Sequence, residues 1–217
     1  MNNIGVIGGA DGETVIMVSG SIAPPILWIF FGALALMVIL YAAFYRRSKG
    51  KAVCLALAAV LCVAADQAVK WLVVNTMTLG SSQPLLPPLL RLTRVHNYGA
   101  AWSSFSGETA LLTAVTLVLM AAVAVLLVKK IVRHRLGVAA CLLILGGGLG
   151  NMIDRVARGY VVDMFDLQLF RYPIFNLADC FVVVGAILGA VYYLFLYEKY
   201  DAKKKENGHD AGADGKN

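Results

Sequence analysis

Charge is what this sequence has least of for its length. Asp, Glu, Lys and Arg make up 15% of its 217 residues while 59% are hydrophobic, and a soluble domain carries roughly a quarter charged residues. A water-soluble fold of this composition is excluded, because several apolar runs approach or exceed the roughly 20 residues that cross a bilayer. Metal-ligand and disulfide spacing is also missing. Cys54, Cys62, Cys141 and Cys180 all lie in or beside apolar runs with no C-x-x-C pair, so they read as small packed hydrophobes. No Lys or Arg precedes the first apolar run, Ile22 to Tyr45, which removes the basic n-region of a cleaved signal peptide. No internal repeat is visible. Although the formal charge is +6, its distribution argues against a nucleic-acid partner. The clusters Arg46–Arg47–Lys49–Lys51 and Lys129–Lys130–Arg133–Arg135 sit at the ends of apolar runs, where they set topology.

What remains is an all-α polytopic membrane protein. We expect a four-helix transmembrane core at about residues 52–75, 109–128, 136–153 and 177–197, with one extra N-terminal span at 22–45. The domain plan is then residues 1–51 as tail, extra span and cytoplasmic basic linker, 52–197 as the four-span core, and 198–217 as a disordered cytoplasmic tail. The positive-inside rule puts both basic clusters in the cytoplasm, the N-terminus outside and the C-terminus inside. Between the second and third spans, Thr76 to Gly107 carries Pro84, Pro87 and Pro88, and its RLTRVHNYGAAWSSFSG run suggests a small extracytoplasmic β-like layer. In the N-terminal segment, GGADG is similar over a few residues to a glycine-rich stretch in membrane subunits of sodium-pumping decarboxylases, and it reads as a flexible tail.

Against this apolar background, GGGLGNMIDRVARGYVVDMFDLQLFRYPIFNLAD, from Gly146 to Asp179, is out of place. It holds Asp154, Asp163, Asp166 and Asp179 with Asn151 and Asn176, and ionisable residues at hydrocarbon are functional candidates. Asn151 and Asp154 are three apart, as are Asn176 and Asp179, so each pair shares a helix face. Upstream, Asp66 and Lys70 are four apart on the second span, about 20 Å from its start at Ala52 and so in the outer part of the bilayer. On this topology Asp66/Lys70, the Asn97 loop and the Gly146–Asp179 stretch converge on one side. Two carboxylates brought together in a low-dielectric site do not both ionise easily. One then serves as general base to a water while the other polarises the carbonyl. That chemistry is aspartic-protease chemistry and needs no metal or cofactor. Spacing alone does not choose which two aspartates pair, though Asp154, with Arg155 beside it as an expected partner, looks structural.

Four segments, in order, resemble the bacterial lipoprotein signal peptidase family, signal peptidase II. They are DQAVK (Asp66–Lys70), NYGAAWS (Asn97–Ser103), GGGLGNMIDR (Gly146–Arg155) with VVD (Val161–Asp163), and FNLAD (Phe175–Asp179). The resemblance runs from about Ala52 to Tyr197. It implies an intramembrane aspartic endopeptidase of the bacterial cytoplasmic membrane, active site toward the outer face. Such an enzyme removes signal peptides from prolipoproteins ahead of a diacylglyceryl-cysteine and is blocked by globomycin. It places the catalytic carboxylates at Asp163 and Asp179, and makes Asp66, Lys70, Asn97, Gly99, Asn151, Asp154, Arg155 and Asn176 supporting or substrate-binding positions. The partners implied are a lipidated prolipoprotein and membrane lipid. Val69, Trp102 and Met164 depart from the family's usual residues without touching a catalytic position; the larger departure is the extra first span.

Other chemistries fare less well. A serine–lysine mechanism through Ser103 or Ser104 needs a neutral Lys70, and Asp66 on its own helix face favours the charged form. His96 reads as a polar loop residue, and the apolar setting of Cys180 makes a poor nucleophile. An ion-coupled transporter also uses intramembrane carboxylates, but such folds show repeats and midplane sites.

Overall fold

The computed structural model describes residues 4–8, 14–18, 51–99 and 109–202, together with Ile26, Trp28 and Gly32. Most of the expected first span lies outside the described residues, as do Ala100 to Ser103 of the second motif, most of the first basic cluster, and the tail beyond Ala202. The described helices are α1 (Lys51–Thr76), α2 (Thr109–Val128), α3 (Arg135–Arg158) and α4 (Leu177–Phe195). All four are long and apolar enough to cross a membrane. They fall on the four expected core spans, with α3 running five residues past its expected end. Those extra residues place Asp154, Arg155 and Arg158 on a helix rather than in a loop.

Local sequence explains the helix ends that matter. The N-cap of α3 is His134, whose Nδ1 accepts from the Leu136 amide at 3.3 Å, and the helix stops at Gly159, φ 76°, whose N–H donates to the Arg155 carbonyl. That left-handed C-cap is where glycine is favoured, and it turns the chain straight into a strand. At the start of α4, Asn176 and Asp179 form a reciprocal capping box, the Asn/Asp version of the usual Ser/Glu pair.

The helices pack around the glycine-rich centre of α3. A Cβ on Gly150 would stand 2.6 Å from Asp66 Oδ2, and one on Gly147 would run into the Ala178 carbonyl of α4. Small residues at such positions let helix backbones approach where the lipid offers no hydrophobic drive to association. In contrast, α2 is Leu, Val and Ala on every side and mostly exposed, the pattern of a helix facing lipid. Its buried residue Met120 sits against Gly148.

A three-stranded antiparallel sheet caps one end of the bundle, in the order β3 (Ser82–Leu86), β4 (Leu90–Asn97) and β5 (Val161–Leu167). The sequence anticipates a strand layer here, and its β-branched residues suit half-buried strands. Register sets Asp163 opposite Val95 and Val161 opposite Asn97, which brings the second motif beside the third.

In the N-terminal segment, β1 (Ile4–Gly8) and β2 (Thr14–Val18) pair antiparallel, both rich in the Val and Ile that favour strands, while most of the GGADG run lies outside the described residues. After α4, Glu198–Ala202 forms a π-helical turn. Asp201 is buried there, accepting from the amides of Arg133 (3.0 Å) and His134 (3.1 Å) and from the Tyr192 hydroxyl. Burial opposes its charge, but these bonds prevail and hold the carboxyl below its ordinary value.

Candidate active site

The polar residues of the four motifs meet where α1, α3, α4, β4 and β5 come together, in two tiers. The lower tier is closed to solvent. The Lys70 ammonium lies 2.9 Å from Asp66 and 3.0 Å from Asp154, with all three side chains fully buried. Arg158, one turn on from Asp154, reaches it at 2.8 Å. Backbone amides complete both carboxylates, on Asp154 at the oxygen that Lys70 also contacts and on Asp66 at the other one. The Val162 amide donates to Asp154 at 3.2 Å and the Ala178 amide to Asp66 at 2.9 Å, tying α3 to β5 and α1 to α4. Gln67 donates to both carboxylates. The expected Arg155–Asp154 pair is not what forms. Adjacent helix residues point apart while residues four apart face each other, so Arg158 takes that role and Arg155 turns to the upper tier.

That tier lines a cavity of about 310 Å³ whose wall includes Asn97, Gly99, Asn151, Arg155, Asp163, Asn176 and Asp179. Asp163 is 1% exposed, and both its oxygens accept amide protons, from Asn97 Nδ2 at 2.8 Å and Asn176 Nδ2 at 2.6 Å. Asp179 is half-buried, with Oδ1 accepting from Asn151 Nδ2 at 2.7 Å and Oδ2 from the Asn176 backbone at 3.1 Å. The two asparagines connect the aspartates, since Asn176 Nδ2 also donates to Asn151 Oδ1 at 2.9 Å. Lys70 donates to that same oxygen at 3.0 Å. A lysine cannot accept a hydrogen bond, so its contact fixes which way the Asn151 amide faces: oxygen toward the ammonium, nitrogen toward Asp179. The tiers are thus joined through one side chain.

Electrostatics separates the tiers. In the lower one each carboxylate has a cation at contact distance. In the upper one, burial first and the charge of Asp179 second push the Asp163 carboxyl up to about 7, against the pull of its asparagine donors and Lys70. Asp179 lies in the first turn of α4, where the helix dipole favours negative charge.

Every candidate from the sequence is accounted for. Seven line the cavity and Asp66, Lys70 and Asp154 lie beneath it. Asp166 stands apart, accepting from Thr93 within the sheet at 3.0 Å. His96 stacks on Tyr160 at 3.8 Å between centroids and does not line the cavity; burial, then Arg94 and Arg158, hold its imidazole below the ordinary value. Ser103 and Ser104 lie outside the described residues. Sequence reasoning missed Gln67, Arg158 and the wall formed by Tyr172, Pro173, Ile174 and Phe175. The four-residue step from Asp154 was signal enough for Arg158. Nothing in the spacing marks the wall, which depends on how the chain returns from β5.

Comparison with known proteins agrees with this architecture. The family described as signal peptidase (SPase) II matches residues 58–195. Lipoprotein signal peptidases similar to this chain include one from Clostridium acetobutylicum, 42% identical over 55% of this chain and 80% of its own length. Another is from Enterococcus faecalis, 39% identical over 68% and 91%. A solved structure described as a bacterial membrane enzyme superposes with TM-score 0.62 at 34% identity, covering 64% of this chain and 87% of that one.

Proposed function

The chain belongs to the signal peptidase II family, aspartic membrane peptidases that process prolipoproteins, and on that premise we propose that Asp163 and Asp179 are the catalytic pair. The observation that carries the reading is the cavity itself: among the described aspartates, only these two line it. Asp163, held near pH 7 by burial and by its neighbour, is the carboxylic acid that donates to the scissile carbonyl oxygen. Asp179, more exposed and at a helix N-terminus, is the base that takes a proton from the attacking water. Attack gives a tetrahedral intermediate; its collapse expels the amine, which receives a proton from the pair, and the pair returns to its singly protonated state. Such splitting of two carboxylates into acid and base by environment is a general device. Asn97, Asn151 and Asn176 position the pair, and Arg155, across the cavity, supplies positive charge to the developing oxyanion or to a substrate carbonyl.

The substrate follows from the family, a prolipoprotein carrying its lipid, with membrane lipid around the cavity mouth and globomycin-like cyclic peptides as inhibitors. The site faces outward on this reading. It lies at the end of α3 opposite Lys129, Lys130 and Arg133, and the 24 residues of α3 span about 36 Å, so the basic end and the catalytic end are on opposite membrane faces. The decisive assay is purified protein with a lipidated prolipoprotein peptide, with and without globomycin. Cleavage by the parent chain, blocked by globomycin and lost in Asp163→Asn and Asp179→Asn, is expected. Full activity in either variant sinks the pairing.

A further inference from the structure

The end of the sheet beyond the buried part of β5 is apolar where a strand layer in water would be polar. Asp163 sits at the root of β5, bonded into the site. Just past the end of β5 at Leu167, Leu169 and Phe170 are 62% and 60% exposed. The β3–β4 turn ends at the same place, since Leu89 accepts from the Gln168 amide at 2.9 Å and donates to Leu86 at 2.8 Å. Leu86 and Leu89 are 51% and 40% exposed, and Pro87 and Pro88 between them are exposed too. Two exposed cations, Arg91 and Arg171, flank this tip. A contiguous apolar tip rimmed by arginine is the signature of a surface that sits at an interface, and the helices below already run through hydrocarbon.

We propose that this tip, Leu86 to Leu89 with Leu169 and Phe170, is seated at the acyl–headgroup boundary of the membrane leaflet on the active-site side. Arg91 and Arg171 meet lipid phosphates there, as long basic side chains do at interfaces. That leaflet is the outer one on the functional reading above. The sheet then lies along the membrane rather than standing off it, and β5 is held at both ends, by the helices at Asp163 and by lipid at Leu169. The height of the catalytic carboxyl above the bilayer is set by that second anchor. A substrate whose acyl chains are themselves fixed in the leaflet presents its scissile bond at the matching depth.

The test is a depth measurement that does not depend on peptidase activity, so its failure is distinct from a failure of the catalytic assignment. Leu169→Trp is placed in lipid nanodiscs, and its fluorescence is read as the difference from the parent chain, which carries Trp28, Trp71 and Trp102. Strong quenching by lipids brominated near the headgroup end of the acyl chain, with several-fold protection from aqueous acrylamide, is expected. Acrylamide quenching close to that of free tryptophan, or no quenching by the brominated lipid, overturns the proposal. In parallel, the Leu86→Glu/Leu89→Glu double variant is expected to raise KM for a nanodisc-embedded lipidated peptide about tenfold, with kcat within twofold and both constants unchanged in detergent micelles. An unchanged KM in nanodiscs, or an equal change in detergent, overturns it as well.

Discussion

Two groups of aspartates lie within one packed region of this protein and are treated in opposite ways. Asp66 and Asp154 are fully buried yet have Lys70 and Arg158 in contact. Asp163 is just as buried but is held by neutral amides and faces another carboxylate across a cavity. Burial with a cation in contact makes a carboxylate structural; burial with only neutral amides in contact leaves Asp163 holding its proton up to about 7. The lower tier spends its charges on one another and holds four elements together. The upper tier leaves a proton whose location is not settled by a salt bridge, and that proton is available for chemistry.

The largest expected effect breaks the upper tier. Asp163→Asn or Asp179→Asn should lower kcat by at least about a thousandfold, the scale seen when one member of a catalytic set is lost, with little change in thermal stability in detergent. Breaking the lower tier should show the reverse emphasis. Lys70→Met leaves two carboxylates buried without their shared cation, and removing one partner of a buried charge cluster costs about 3–5 kcal/mol. Thermal melts should reveal this, together with weaker binding of globomycin as Asn151 loses the contact that orients it. A Lys70→Met protein as stable as the parent would mean the tiers are not different in kind.

The pH dependence of stability sharpens the comparison. Asp163 releases its proton near 7 in the folded protein and near the ordinary value of 3.8 when unfolded. Between these limits the folded state binds more protons, so stability falls as pH rises from about 4 to about 7. Asp201 has the opposite sign. Its folded value is lowered, so its contribution is present above about 4 and is lost as pH falls below that. Melts across pH 4 to 8 should decline in the parent and flatten in Asp163→Asn. Activity should fall above about pH 7 as the pair loses its shared proton. The smallest effect is expected of Asp166→Asn, which loses one bond from Thr93; kcat should stay within about twofold and stability within about 1 kcal/mol. An inactive Asp166→Asn enzyme would mean the upper tier has been drawn too narrowly.

Much of this was legible in the sequence, for physical reasons. The bilayer requires apolar helices of fixed length, so α1 through α4 were visible in hydropathy, and any charge within them stood out. Residue spacing on a helix made the Asp66–Lys70 and Asn176–Asp179 pairings readable. Spacing alone did not separate the tiers, because whether a carboxylate finds a cation depends on contacts between segments far apart in the chain. Lys70 with Asp154 is one such contact, and the choice of Asp163 and Asp179 came from the family resemblance. The Arg155–Asp154 expectation failed because adjacency in sequence was read as adjacency in space. The extent of α3 was underestimated because hydropathy falls at Asn151 while the helix continues to its glycine cap.

The double use of Asn176 has a consequence in time. Its side chain caps the first turn of α4 and also holds Asp163, so one residue closes both a helix end and the proposed catalytic pair. Helix ends fray, and here each fraying event that frees the Asp179 amide from Asn176 also undoes the support of Asp163. The fraction of molecules competent at any instant is then the fraction in which that one turn is closed. Hydrogen exchange at a single amide, that of Asp179, becomes a clock for the whole site, and a ligand filling the cavity should slow it.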